Sequence, residues 1–156
     1  MKEAVKEKFL KYGKIIEPFE IDGCRFEFFG ELQLRTVHTT FFMKDYEIVS
    51  YLYLLSKRLK SVNIQKAKEE LELLKRLSKK LLKTPEGHYL STFILLLEAE
   101  EAEIPEGEAR ALFFKKSILF GLKGSFQCAV VITNGEREIY PKEVEDTIKW
   151  LSLEQS

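Results

Sequence analysis

Apolar positions along the chain switch between helical and strand spacing, and the switches divide it into distinct runs. Residues 2–12 place Val5, Phe9 and Tyr12 on one side of a short amphipathic helix. The next stretch, "KIIEPFEIDGCRFEFFGELQLRTVHTTFFM", has strand texture. Asp22-Gly23 sits between two β-like runs, a two-residue hairpin signal because both central positions need positive φ. Pro18 has no N–H to donate, so the first strand is expected at a sheet edge. Gly30-Glu31 reads as a second tight turn, which gives strands near 14–21, 24–29 and 32–42. The competing reading is one long strand with a bulge at Gly30.

"KDYEIVSYLYLLSKRL" is apolar almost all round. With Asp45 as N-cap and Lys57, Arg58 and Lys60 near its end, it is expected to be a buried helix, the alternative being another strand. The segment after it has the clearest period of the chain. Ile64, Ala67, Leu71, Leu74, Leu77 and Leu81 recur at three- and four-residue steps, predicting a helix over 64–83 that stops at "TPEG".

From Gly87 onward the texture is β again. "HYLSTFILLLEAEEAE" and "ARALFFKKSILFG" flank a turn at "IPEG". "LKG" at 122–124 is the next reversal. "SFQCAVVIT" and "EREIY" flank Asn134-Gly135, a pair that favours a type I′ hairpin. Pro141 suits the first turn of a closing helix, with Val144, Ile148 and Leu151 on one face and Trp150 beside it. The order α-βββ-αα-ββββ-α, with short connections, predicts one α+β domain over 1–156. An antiparallel sheet of six to seven strands is expected to pack against the central and C-terminal helices. Ten of the twelve phenylalanines, all but Phe9 and Phe19, fall in these strands or at their ends, so the aromatics are expected in the core. "GELQLRTVHTTFF" can also be laid on "GSFQCAVVITNGE" at an offset of 94, which raises a duplicated β-hairpin–helix unit against shared α+β grammar.

Composition adds a setting. The 156 residues suffice for one core, and the apolar runs are too short to span a bilayer. The charged start "MKEAVKEKFLKYGK" has no signal-peptide core, so a cytoplasmic protein without membrane attachment is expected. Glu supplies 22 of the 25 acids and Lys 19 of the 25 bases. That skew, with few amides, is the pattern of a thermophile, although an A/T-rich genome also favours lysine. Cys24 and Cys128 read as small buried hydrophobes, a disulfide being the alternative. Neither sits in a C-x-x-C pair or a zinc-spaced cluster, so neither a metal site nor a cofactor is expected.

No phosphate loop, dinucleotide fingerprint, zincin helix or nucleophile elbow is present. The candidate chemistry is therefore thin. His38 lies in "RTVHTT", on strand spacing with Thr36 and Thr40, and with Arg35 and Glu31 it could form a small acid–base site. His88 reads as a surface residue at a strand start. Glu27, Glu31 and Gln33 faintly resemble the acidic strand of a metal-dependent nuclease, but the converging Asp and Lys of such a site are missing.

Charge is balanced overall and segregated locally. Residues 57–83 carry ten bases and three acids, for +7; residues 84–109 carry seven acids and no base, for −7. A solvated helix face and a charged tip that resists edge pairing explain this simply. Complementary surfaces within a homo-oligomer are a sharper reading. Another is nucleic-acid binding through Lys75, Arg76, Lys79, Lys80 and Lys83, opposed by the zero net charge, the scarcity of Arg and the lack of interleaved aromatics. The leading expectation is a non-enzymatic interaction or assembly module, a self-associating homodimer. Nucleic-acid binding and a small enzyme around His38 are the alternatives.

Overall fold

The computed structural model describes residues 1–38, 46–135 and 137–152, the side chains of His38 and Tyr46 excepted. Helix α1 (Lys2–Tyr12) leads into β1 (Lys14–Ile16). A small hairpin follows, β2 (Phe19–Ile21) and β3 (Cys24–Phe26). Two long strands come next, β4 (Phe28–His38) and β5 (Tyr46–Asn63), then helix α2 (Ile64–Leu81) and strand β6 (His88–Glu103). Strands β7 (Phe113–Ser117), β8 (Ser125–Asn134) and β9 (Arg137–Ile139) precede a 3₁₀ turn and helix α3 (Glu145–Ser152). The class is α+β, as expected, but the sheet is mixed rather than antiparallel.

The largest correction is β5. The run expected as a helix from Asp45 to Lys60 is an 18-residue strand from Tyr46 to Asn63, and Asp45 lies outside the described residues. A strand covered on both faces loses its alternation and becomes apolar throughout, which is what made it look like a buried helix. Tyr53 and Leu55 face one core and Leu54 the other. Helix α2 then crosses over, so that β6 lies parallel to β5, and β8 lies parallel to β6. Antiparallel pairs flank this trio. The order is β1-β4-β5-β6-β8-β7, with β9 also on β8. The turn at "IPEG" therefore does not pair its two flanks: β7 pairs with β8 instead.

The smaller corrections are local. The strand expected over 14–21 breaks at the cis Glu17-Pro18 bond into β1 and β2, and only β1 joins the main sheet. Asp22-Gly23 forms the expected turn, with φ of 52° and 75°. Gly30 makes no turn, because β4 runs through it paired to Leu54. Its role is close approach: a Cβ there would lie 2.6 Å from the Phe9 ring of α1. The last hairpin pairs Asn134 with Arg137, so its two-residue loop is Gly135-Glu136, of which Glu136 lies outside the described residues. The compared segments also differ in kind: β4 leads into a strand, whereas β8 leads through β9 into a helix, so the halves do not repeat one unit.

Two cores flank the sheet. On one face α2 lays Ala67, Leu71, Leu74 and Leu77 against Phe93, Leu95, Cys128 and Val130, with the β2–β3 hairpin covering Phe29 and Tyr53. Each fully buried leucine contributes about 2 kcal/mol. Asn63 caps α2 by accepting from the Lys66 amide at 2.8 Å. On the other face α1, the 3₁₀ turn and α3 bury Val5, Phe9, Val144, Ile148 and Leu151 against Phe28, Leu54, Ile94 and Val131. Cys24 and Cys128 are free thiols. Burial pushes the Cys128 thiol up to about 11, with the Ser78 hydroxyl and Lys75 acting the other way.

Candidate functional site

The parallel strands β5, β6 and β8 all begin at one end of the sheet, and the unusual features gather there. The β4–β5 ladder overshoots the neighbouring strands. Its pairs Thr36–Ile48, Val37–Glu47 and His38–Tyr46 extend past Val49, where β6 starts to pair. Beside this arm the chain enters β8 through "ILFGLKG"; "ILFG", expected as the end of a strand, is a compact 3₁₀ turn, and "LKG" completes the reversal expected there. Leu119 and Phe120 hold φ of 49° and 56°, in the left-handed region that bulky L-residues avoid. The turn presents Leu119 at 62% exposure, Leu122 at 85%, and Phe120 with its side chain fully in solvent. The general expectation that aromatics fill the core fails at Phe120. We call this turn the finger.

The finger is rigidly built. Ile118 donates to the Gly124 carbonyl at 2.8 Å and its own carbonyl accepts from Gly121 at 3.0 Å and from Lys123 at 3.2 Å. His88, expected on the surface, is 7% exposed and latches the finger from beneath. Its Nδ1 lies 2.7 Å from the Lys123 carbonyl, which can only accept, so Nδ1 carries the proton. Nε2 lies 2.8 Å from the Ser91 hydroxyl, which donates to it in the neutral ring. This is the donor order of a serine–histidine pair, but Ser91 is wholly buried and no substrate carbonyl can meet it. A register shift between Val49 and Ser50 opposite β6 is what lets residues 88 and 91 turn to one another.

On the α1–α3 face of the same end the helices stop short, leaving a groove of about 820 Å³. Leu32, Leu34, Leu52 and Leu90 form its floor, and Tyr12 and Trp150 stand over it with ring centroids 5.9 Å apart. Among the described residues its one charged wall group is Asp146. Leu34, at 68% exposure, continues the groove onto the arm. A groove of this size, apolar with a few polar groups, has the form of a binding site.

The opposite face carries a polar patch. Lys83 Nζ meets Glu31 at 2.9 Å, and Gln33 donates to the Tyr51 hydroxyl at 3.0 Å. The Glu31 carboxylate holds Lys83 above its usual range. Tyr53 is buried beside them, its phenol without a hydrogen-bond partner among the described residues, and burial raises its pKa. A smaller cleft of about 430 Å³ runs over Tyr12, Lys14, Glu31 and Lys83.

The sequence candidates are dispersed. Glu31 pairs with Lys83, whereas Arg35 pairs across the ladder with Glu47, so the two do not share a site. The backbone of His38 pairs with Tyr46, and its side chain lies outside the described residues. Glu27 is engaged by Lys2 at 3.3 Å. Of the five basic candidates, Lys75 pairs with Glu72, Lys80 with Asp22 and Lys83 with Glu31, whereas Arg76 and Lys79 are exposed without an ion pair among the described residues. Lys75 also lies 4.1 Å over the Phe114 ring. The basic segment is thus largely neutralised by acids of its own chain, most of them outside the 84–109 run. Among the described residues no cluster of His, Cys, Asp or Glu is arranged for a metal, and no helix is long and apolar enough to cross a membrane.

The reversal at "LKG" was expected, but the apolar tip before it was not, because "ALFFKKSILF" has ordinary strand composition. The signal that could have marked it is the glycine pair Gly121 and Gly124 closing a four-residue reversal. Comparison with curated proteins gives no match, and neither does comparison with solved structures. Residues 1–152 match one family, and on that match over nearly its whole length the chain belongs to the family described as Domain of unknown function (DUF8052).

Proposed function

We propose that this chain is a non-enzymatic assembly module that associates with itself as a homodimer through the apolar end of its sheet. One observation carries the reading: the finger holds Leu119, Phe120 and Leu122 in solvent on a backbone strained to put them there. Left-handed conformations at bulky residues cost about 1 kcal/mol or more each and persist where the surroundings enforce them. Exposed apolar groups gathered at one end mark an interaction surface rather than scatter. Burying such side chains returns about 1.5–3 kcal/mol apiece. The dispersal of Glu31 and Arg35 into separate ion pairs further favours association over chemistry.

Sedimentation velocity over a concentration series tests the proposal. A monomer–dimer equilibrium shifting toward dimer is expected. A monomer at every concentration would overturn it.

A further inference from the structure

The chain carries both a protrusion and a cavity of matching character. The protrusion is the finger, three apolar side chains with Lys123 following and Lys115 and Lys116 exposed on the strand before it. The cavity is the groove under Tyr12 and Trp150, lined by four leucines and holding Asp146 as its single charge among the described residues. Both lie at the end of the sheet where β6 and β8 begin, since Leu90 of the groove pairs with Ser125, directly after the finger closes at Gly124. Within one chain they do not meet, as the exposure of Phe120 shows.

We infer that the finger of one copy inserts into the groove of a second copy, and reciprocally, about a twofold axis. This rests on the self-association proposed above and names its surfaces. Two features on one end of one chain satisfy an isologous contact, in which each partner both gives and receives the same group. The groove volume lies within the range that encloses a compact apolar body. Charge agrees as well: the base beside the finger is Lys123, and the groove's charge among the described residues is the acid Asp146. Phe120 is the aromatic anchor, with the leucines around it excluding water. Lysines flanking an apolar tip would also suit an anionic lipid surface, and the uncharged majority of the groove argues for the second copy instead.

Sedimentation velocity on the wild type and four variants tests this. Phe120→Ser should raise the dimer dissociation constant roughly thirtyfold or more, the loss typical of an anchor residue. Asp146→Lys and Lys123→Glu should each weaken it about tenfold, as like charges are brought together. The double variant Asp146→Lys/Lys123→Glu should recover most of the loss. All three positions are exposed, so far-UV circular dichroism should be unchanged. A dimeric wild type whose Phe120→Ser form dimerises equally well would overturn the finger-in-groove contact while leaving self-association standing. A monomeric wild type would remove both. Assemblies growing beyond the dimer would exclude the twofold arrangement. Wild-type monomer that floats with phosphatidylserine vesicles while Phe120→Ser does not would assign the finger to lipid instead.

Discussion

The two ends of the three parallel strands could hardly differ more. Where β5, β6 and β8 finish, the chain is charged: Lys60, Glu100, Glu101 and Glu103 are exposed, and the apolar residues Val62, Ala99 and Ile132 remain covered. Where they begin, Leu34, Val37, Tyr89, Leu119, Phe120 and Leu122 face solvent. Charged strand ends protect a sheet from unwanted pairing. The apolar end lacks that protection and is instead stiffened by a buried histidine latch. The difference separates what folds the protein from what the folded protein offers to a partner.

Substitutions can break this contrast at either end. At the charged end, buried Glu70 is held by Lys57 at 3.0 Å and by Lys66 at 3.3 Å. Lys57→Met leaves a buried carboxylate half-partnered and should cost about 3 kcal/mol in urea unfolding. Dimerisation of the folded fraction should not change. If the dimer weakened as well, the two ends would not be independent.

The latch joins the two properties. His88→Ala removes both hydrogen bonds beneath the finger and should cost about 2 kcal/mol. Sedimentation should show weaker association too, because the finger loses its fixed posture. Stability lost with association intact would mean that the finger does not need its latch.

Alkaline titration isolates the covered interior. The Cys128 thiol is pushed up to about 11 from 9.0, so the unfolded chain releases its proton first as pH rises. The resulting stability is complete below pH 9 and drains away between 9 and 11. By pH 10 the loss is about 1 kcal/mol. Burial raises the Tyr53 phenol as well and adds a loss of the same sign above pH 10. Urea unfolding at pH 8 and pH 10 should therefore show a smaller decline for Cys128→Ala than for wild type. Equal declines would contradict the burial of that thiol.

The smallest expected effect runs the other way. Phe120→Gly relieves a left-handed φ of 56° and should raise monomer stability by about 1 kcal/mol. The same variant should fail to dimerise. A gain in stability with loss of assembly is the signature of strain kept for contact rather than for folding.

Much of this scaffold is visible in the sequence where one face is apolar and the other polar. Helix α2 with its leucine steps, the Asp22-Gly23 hairpin and the helix after Pro141 all have one face buried, so their periods survive. Strand β5 was hidden for the opposite reason: covered by both cores, it has no alternation left to read. The parallel pairing of β5, β6 and β8 depends on crossovers between distant segments, which local pattern does not encode. Gly30 looked like a turn because a glycine serving the Phe9 ring is indistinguishable, one residue at a time, from one serving a loop. The candidate site was harder still. Its histidine is buried by a register shift, and its aromatic is exposed by two unusual φ angles; neither leaves a mark in hydropathy. Glu31 and Arg35 were legible as polar strand residues, but their partners Lys83 and Glu47 come from distant positions.

Trp150 provides the most direct test, since it is the only tryptophan and stands over the groove. Its emission should be recorded as wild type and Phe120→Ser are diluted through the dimerisation range. A blue-shifted band is expected at high concentration in wild type, reverting on dilution, with no shift in Phe120→Ser. Emission independent of concentration in a wild type that sediments as a dimer, or an identical shift in Phe120→Ser, would contradict insertion of the finger into the groove.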